Sequence, residues 1–182
     1  MLFKLKTKVM KSFLLLTFIV THFAGFCQQN CLITRVIDGD TYKVLLNGKM
    51  QTVQSLNIDA PEIGQYFGKE AKENVTALIQ GRMVDATVYD KDIYGRHIIS
   101  IHVDGLRLDS LLIARGWAVY NYKYSLDNRL WALETIAKTN RAGLWKCSNN
   151  IPPWIFRKLD KGNKRFYQVC RPLTSLPLQA KQ

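Results

Sequence analysis

Two short acidic stretches carry the side chains best suited to do chemistry: Val36-Ile37-Asp38-Gly39-Asp40-Thr41 and Ile58-Asp59-Ala60-Pro61-Glu62. Each lies against an apolar, β-rich run, and each sets its carboxylates beside a Gly or Pro that turns the backbone. If the fold brings the two turns together, Asp40 and Asp59 make an all-oxygen cation site of the hard kind that Ca²⁺ and Mg²⁺ prefer. Glu62, three residues past Asp59 and across the rigid Ala60-Pro61 link, would then face a water at that site. A third stretch, Asp92-Ile93-Tyr94-Gly95-Arg96, adds a guanidinium. Alone, a D-G-D tripeptide is an ordinary Asx-Gly turn.

The elements that must position these turns are legible in the hydrophobic pattern. Leu32 to Ile37, Thr41 to Leu46 and Met50 to Ile58 are rich in apolar and β-branched residues. Asn47-Gly48 between the second and third is a strong type I′ hairpin signal. The D-G-D turn joins the first two strands, and the D-A-P-E turn leaves the third. Ala71, Val75, Leu78 and Ile79 recur at helical spacing until Gly81 stops them. Met83 to Tyr89 and Ile98 to Val103 read as two more strands, joined by the D-I-Y-G-R turn. Leu108, Leu111 and Leu112 mark a short helix, and Leu126, Leu130, Leu133 and Ala137 a longer one ending at Gly143. The class is α+β, mainly β: a five-stranded Greek-key barrel of the OB type with three α-helices, one inserted after the third strand and two after the fifth.

The 182 residues suffice for one domain with a real core, plus a leader and a tail. Residues 1–27 hold Lys4, Lys6, Lys8 and Lys11, no acid, and the apolar run Phe13 to Val20. That is the pattern of a secretory signal peptide, too short for a comfortable membrane span, with cleavage expected before Gln28. Met10 is an alternative start. Lipid attachment at Cys27 is the competing reading, opposed by the bulky Phe26 before it. Residues 28–147 form the expected domain. Residues 148–182 form a basic extension containing Arg157, Lys158, Lys161, Lys164 and Arg165, partly disordered, with disorder expected beyond Pro172 and Trp154 expected to pack back on the barrel.

Loss of the four leader lysines takes the formal charge from +12 to +8, which favours a polyanionic partner, nucleic acid first and an anionic surface second. Solubility of an exported protein is the plainer explanation of such a charge. Of the cysteines left, Cys147 with Cys170 would tie the tail to the domain, and Cys31 could pair with either. There is no CxxC pair, and His97 and His102 lie in a β-like run, so nothing has zinc-ligand spacing. A secreted or periplasmic monomer without stable membrane association is the expectation.

The D-G-D-T, D-A-P-E and D-I-Y-G-R motifs, in this order and followed by Ala142-Gly143-Leu144-Trp145, resemble those of the staphylococcal nuclease family from about Cys31 to Trp145. The resemblance implies a Ca²⁺-dependent nuclease of broad DNA and RNA specificity. Asp40, Asp59 and the backbone carbonyl of Ala60 would hold Ca²⁺. Glu62 would orient or deprotonate the attacking water, and Arg96 would clamp the phosphate with a fork that lysine cannot reproduce. Tyr94, Tyr122 and Tyr124 would line the nucleotide pocket. The same alignment puts Gln54 where the family carries a second phosphate-binding arginine, five residues before the metal-binding aspartate. Gln54 brings no charge, so the enzyme is expected to be slow unless a cation such as Lys43 or Arg82 takes over the place.

Plainer roles stand beside several of these. Asp38 can simply make an Asx turn or support the metal ligands, Thr41 can brace a ligand or only begin a strand, and Asp92 is expected to hold its own turn. Alternating tyrosines near a helix start are, without the resemblance, half-buried packing. The rival function is a catalytically weak or inactive nucleic-acid-binding module on the same fold; a sugar or other anion binder rests on fold analogy alone. Three carboxylates at a polyanion site would repel the ligand unless a cation joined them, which favours catalysis.

Overall fold

The computed structural model describes residues 28–171, so the leader expected at residues 1–27 and the disorder expected beyond Pro172 lie outside the described residues. Eight strands occur in chain order: β1 (Gln28–Val36), β2 (Thr41–Leu46), β3 (Lys49–Ser55), β4 (Ile58–Asp59), β5 (Met83–Lys91), β6 (His97–Val103), β7 (Leu106–Arg107) and β8 (Val119–Tyr120). Five of them close a barrel. The order β3-β2-β1-β5-β6 is antiparallel throughout, and β3 meets β6 in parallel to seal it, with Val53 opposite His97 and Ser55 opposite Ile99. This is the expected OB-type architecture, and His97 and His102 sit on β6 as ordinary strand residues.

Alternation fills the barrel. Tyr42, Val44 and Leu46 of β2 and Ile99, Ile101 and Val103 of β6 are all buried, as a period of two requires when one face of each strand turns inward. Each such aliphatic side chain contributes about 1.5–3 kcal/mol by burial. The β2–β3 hairpin has Asn47 and Gly48 at φ 51° and 72°, with Leu46 opposite Lys49: the two-residue turn that Asn-Gly predicts.

The third strand is shorter than the apolar run Met50 to Ile58 predicts. β3 stops at Ser55, Asn57 takes a left-handed φ of 68°, and the chain restarts as β4, which pairs with β8 so that Asp59 lies opposite Val119. Asn tolerates that conformation better than most residues, and its side chain is used: Asn57 Nδ2 donates to Asp109 Oδ2 at 2.8 Å. Asp59 is thereby lifted off the barrel sheet.

Three helices flank the barrel as expected: α1 (Gly68–Ile79), α2 (Leu108–Ala114) and α3 (Asn128–Thr139). Ala71, Val75 and Ile79 form the buried stripe of α1, spaced four apart on one face. Just past its end, Gln80 Oε1 accepts the Val36 amide at 3.0 Å, fixing the end of β1 where the D-G-D turn begins. A 3₁₀ turn at Gly143–Lys146 closes the domain. None of the helices among the described residues is long and apolar enough to cross a membrane.

As far as Arg171 the basic extension is structured, and it adds two short helices not expected from its composition: α4 (Pro153–Phe156) and α5 (Lys161–Phe166). Proline at the first position starts α4 without losing a bond, and Asp160 caps α5 by accepting from the amides of Gly162 and Asn163. The disulfide joins Cys147 to Cys170, leaving Cys31 free and buried. Pro153 and Phe156 are buried, and the half-buried Trp154 meets Tyr122 edge-on with centroids 5.6 Å apart.

Candidate active site

The D-G-D turn is built by Asp38. Its Oδ1 accepts the amides of Asp40 at 3.2 Å and Thr41 at 2.7 Å, so the Asx role is the one seen. Gly39 has no tolerance for a side chain: a Cβ there would come 2.6 Å from Ala60 Cβ. Glycine lets this turn press onto the D-A-P-E turn, and the contact is closed by a hydrogen bond from the Ala60 amide to Asp40 Oδ2 at 2.7 Å. The two acidic turns, twenty residues apart in sequence, are thus joined through the carboxylate of one and the backbone of the other.

The second turn is held just as firmly. Gly68 allows the start of α1 to sit on the Glu62 carbonyl, which a Cβ would strike at 1.8 Å. Gln65, buried, accepts the Glu62 amide on Oε1 at 3.3 Å. On the other side, β4 is braced by β8, whose Tyr120 amide donates to buried Glu134 Oε1 at 2.9 Å. Asp109, buried, ties Asn57 to Arg107, which also pairs with Asp127. These polar networks fix the approach of Asp59 from beneath.

Asp40 and Asp59 are both buried, whereas Glu62 is more open. Burial pushes the Asp40 carboxyl well above the usual carboxylate range, and the charges of Asp38 and Asp59 push it further. Burial also raises Asp59, against the pull of the Arg157 guanidinium. Two adjoining buried carboxylates are both ionised only with a positive charge beside them, and Arg157 supplies one to Asp59. Among the described residues no three His, Cys, Asp or Glu side chains converge into a ready-made cage. The donor atoms these two side chains offer are all carboxylate oxygens, with Thr41 Oγ1 at 3.1 Å from Asp40 Oδ1, although the Ala60 amide and the Arg157 guanidinium already occupy several of them. Such a set suits a hard divalent ion that keeps several waters and poorly suits a soft one.

Arg96 is delivered by the β5–β6 turn. Asp92 holds that turn, accepting the amides of Tyr94 and Arg96 at 2.9 Å each on Oδ1 and Arg96 Nε at 2.6 Å on Oδ2. Those bonds keep the Asp92 carboxyl below its usual range despite some desolvation. With Nε so anchored, Arg96 Nη1 reaches Thr41 Oγ1 at 3.3 Å. Gln54, opposite Thr41 in the β2–β3 ladder, has Oε1 3.0 Å from the same hydroxyl. Thr41 therefore links Asp40, Gln54 and Arg96. Tyr94, Tyr122 and Tyr124 are exposed, and the Arg96 guanidinium lies 5.5 Å from the Tyr94 ring centroid. Tyr120, by contrast, is buried with its hydroxyl donated to Ser125.

Sequence reasoning missed Arg157. Its Nη1 and Nη2 donate to Asp59 Oδ1 at 3.1 Å and Oδ2 at 2.6 Å, and Nη1 also donates to Glu62 Oε1 at 2.6 Å. The cation expected near Gln54 does not come from Arg82, which is committed to the Leu78 carbonyl and to Asp104. Lys43 lies exposed on β2, two ladder pairs from Thr41. The signal in the sequence was present in outline: a Pro-Pro-Trp segment between two cysteines, with an arginine three residues past the tryptophan.

A family model described as "Staphylococcal nuclease homologue" matches residues 52–147. A micrococcal nuclease of Shigella flexneri is 30% identical over 140 residues, covering 71% of this chain and 80% of that protein. A protein of Escherichia coli O157:H7 named as an uncharacterized endonuclease is 29% identical over 126 residues, covering 69% of this chain and 82% of its own length. A similarly named protein of Haemophilus influenzae is 28% identical over 171 residues, 93% of this chain and 96% of that one, so the likeness runs through the extension as well. On the family match, the barrel and the ordered motifs together, the chain belongs to the staphylococcal nuclease family.

Proposed function

We propose that the protein is a Ca²⁺-dependent nuclease that hydrolyses phosphodiester bonds of DNA and RNA. The observation that carries this reading is the joining of the two acidic turns through Asp40 Oδ2 and the Ala60 amide, with Glu62 and Arg96 bordering the same pair of buried carboxylates. Family membership and the nuclease names of the relatives support it. Asp40 and Asp59, with the Ala60 carbonyl, would hold the ion. When bound, such an ion supplies charge against the phosphoryl oxygens and makes a water more acidic. Glu62 accepts the proton of the attacking water through a carboxylate oxygen, the water oxygen bonds to phosphorus, and the bond to the leaving sugar oxygen breaks with a proton returned to that oxygen. Arg96 donates from its terminal nitrogens to the phosphate as charge builds on it. Exposed Tyr94, Tyr122 and Tyr124 offer π-faces to bases without reading their identity.

The Cys147–Cys170 disulfide and the leader-like pattern at residues 1–27 support export to the periplasm or the medium, where disulfides persist. The protein would work there as a monomer. A nucleic-acid-binding module without chemistry draws on one observation, the Arg157 ion pairs, which neutralise Asp59 and Glu62 with no metal. Digestion of single- and double-stranded DNA and of RNA with Ca²⁺, with Mg²⁺ or with chelator, followed by analysis of the product ends, separates the two. Cleavage with Ca²⁺ that stops in chelator is expected; retention of nucleic acid without cleavage would establish the binding module instead.

A further inference from the structure

Arg157 lies ten residues beyond the family match, yet its guanidinium is the only side-chain cation paired with the site's own acids among the described residues. Its placement is not that of a loose tail. The segment is fastened at both ends by the Cys147–Cys170 disulfide. Between them, Gln65 Nε2 donates to the Ile151 carbonyl at 2.6 Å, and the Tyr66 amide donates to the Tyr167 carbonyl at 2.8 Å. Phe156, the neighbour of Arg157, is buried. Gln65 is also the residue that holds the Glu62 amide, so one side chain fixes both the catalytic turn and the segment that faces it. A backbone held this closely presents its arginine to the acids by construction.

We propose that Arg157 is a phosphate-binding residue of the active site, supplied by the extension, which rests on Asp59 and Glu62 in the free protein and turns to the substrate phosphate when those acids are otherwise engaged. The inference rests on the nuclease reading of the same site. Three observations support it. The Arg157 side chain is 48% exposed, so its head can swing while its backbone stays fixed. Arg96 touches the site through Thr41, beside Asp40, whereas Arg157 touches it through Asp59 and Glu62, so the two guanidiniums reach different acids of the site. Finally, Gln54 is neutral and already faces Thr41, leaving one guanidinium from the barrel and charge still to be offset. A bidentate fork that fits a carboxylate also fits a phosphate. While Arg157 pairs with Asp59 it competes with any divalent ion for that carboxylate, and by linkage the two must weaken each other.

The test uses the full chain and its Arg157→Gln and Arg157→Lys variants, each checked for an unchanged melting temperature. Ca²⁺ affinity is read by calorimetry, kcat by digestion of DNA, and binding of a short single-stranded DNA oligonucleotide in a Glu62→Gln background that suppresses cleavage. The expected result for Arg157→Gln is Ca²⁺ binding several-fold tighter, kcat lower by roughly 10²-fold, and oligonucleotide affinity lower by about tenfold. Arg157→Lys should fall between the two, keeping charge and losing the fork. A rise in kcat with tighter Ca²⁺ binding and unchanged oligonucleotide affinity would overturn the proposal and make Arg157 a latch. No change in any of the three would reduce it to a surface ion pair, overturning it equally. If the parent cleaves nothing, the nuclease reading fails separately, and the oligonucleotide arm still decides whether Arg157 binds phosphate.

Discussion

The two guanidiniums of the site are held in opposite ways. Arg96 is anchored through Nε by Asp92, a carboxylate that shares its turn and stands outside the acidic pair. Its Nη1 remains directed at Thr41. Arg157 comes from an appended segment, and its partners are Asp59 and Glu62 themselves. The first arrangement fixes a cation permanently beside the site. The second makes the cation's position depend on what else the acids are doing. A pair made with a carboxylate outside the site preorganises, whereas a pair made with the carboxylates of the proposed metal site would couple to whatever they bind.

The comparison breaks most sharply at Glu62, the acid that Arg157 touches and Arg96 does not. Glu62→Gln should lower kcat by roughly 10²- to 10⁴-fold, the range of a general base, with oligonucleotide affinity nearly unchanged. Loss of affinity at constant rate would show that Glu62 had been assigned the wrong task. Next in size is Arg96→Ala, expected to cost about 10²- to 10³-fold in kcat while leaving Ca²⁺ affinity as in the parent, because Arg96 touches neither Asp59 nor Glu62. Altered calcium binding in that variant would erase the distinction between the two arginines.

Gln54→Arg sharpens the same contrast. Placed opposite Thr41, the new guanidinium should raise kcat several-fold in the Arg157→Gln background and by less in the parent. Equal gains in both backgrounds would mean that the two positions do not share a task. The smallest effect concerns the holder of Arg96. Asp92→Asn keeps one acceptor oxygen for the turn amides but loses the charged oxygen that accepts from Arg96 Nε, for an expected cost of about 1–2 kcal/mol. Because folding lowers the Asp92 pKa, its stabilisation is complete above the unfolded value of about 3.9 and vanishes as pH falls through the depressed folded value. Melting curves of parent and variant should stay separated by a constant gap from pH 5 to 8 and converge below pH 4. A gap that persisted in strong acid would mean the charge was not the source.

What the sequence made legible follows the same division. The barrel strands, the Asn47-Gly48 hairpin and the stripe of α1 are local or periodic signals, and, the end of the third strand apart, each appears where its pattern pointed. Arg96 was readable because Asp92, Gly95 and Arg96 lie within one turn. The break of the third strand at Asn57 was not, because Leu56 and Ile58 continue an apolar run and only the tertiary bond to Asp109 reveals the bend. Arg157 was hidden for a different reason. It opens a Lys/Arg-rich stretch that reads as a basic, partly disordered extension, and its partners lie 98 and 95 residues away. The disulfide, the Gln65 bridge and the bond from the Tyr66 amide to the Tyr167 carbonyl, all long-range, turn that stretch into part of the site.

The claim on which the rest depends is that Asp40 and Asp59 form a hard-cation site that the fold keeps ready. Calorimetric titration of Ca²⁺ into the parent and into Asp40→Asn tests it directly, since asparagine can still accept the Ala60 amide and so preserve the joined turns. One Ca²⁺ per parent chain, with binding lost or weakened beyond measurement in Asp40→Asn at unchanged fold, is the predicted result. No calcium binding by the parent at millimolar ion, or equal binding by the two proteins, would contradict it.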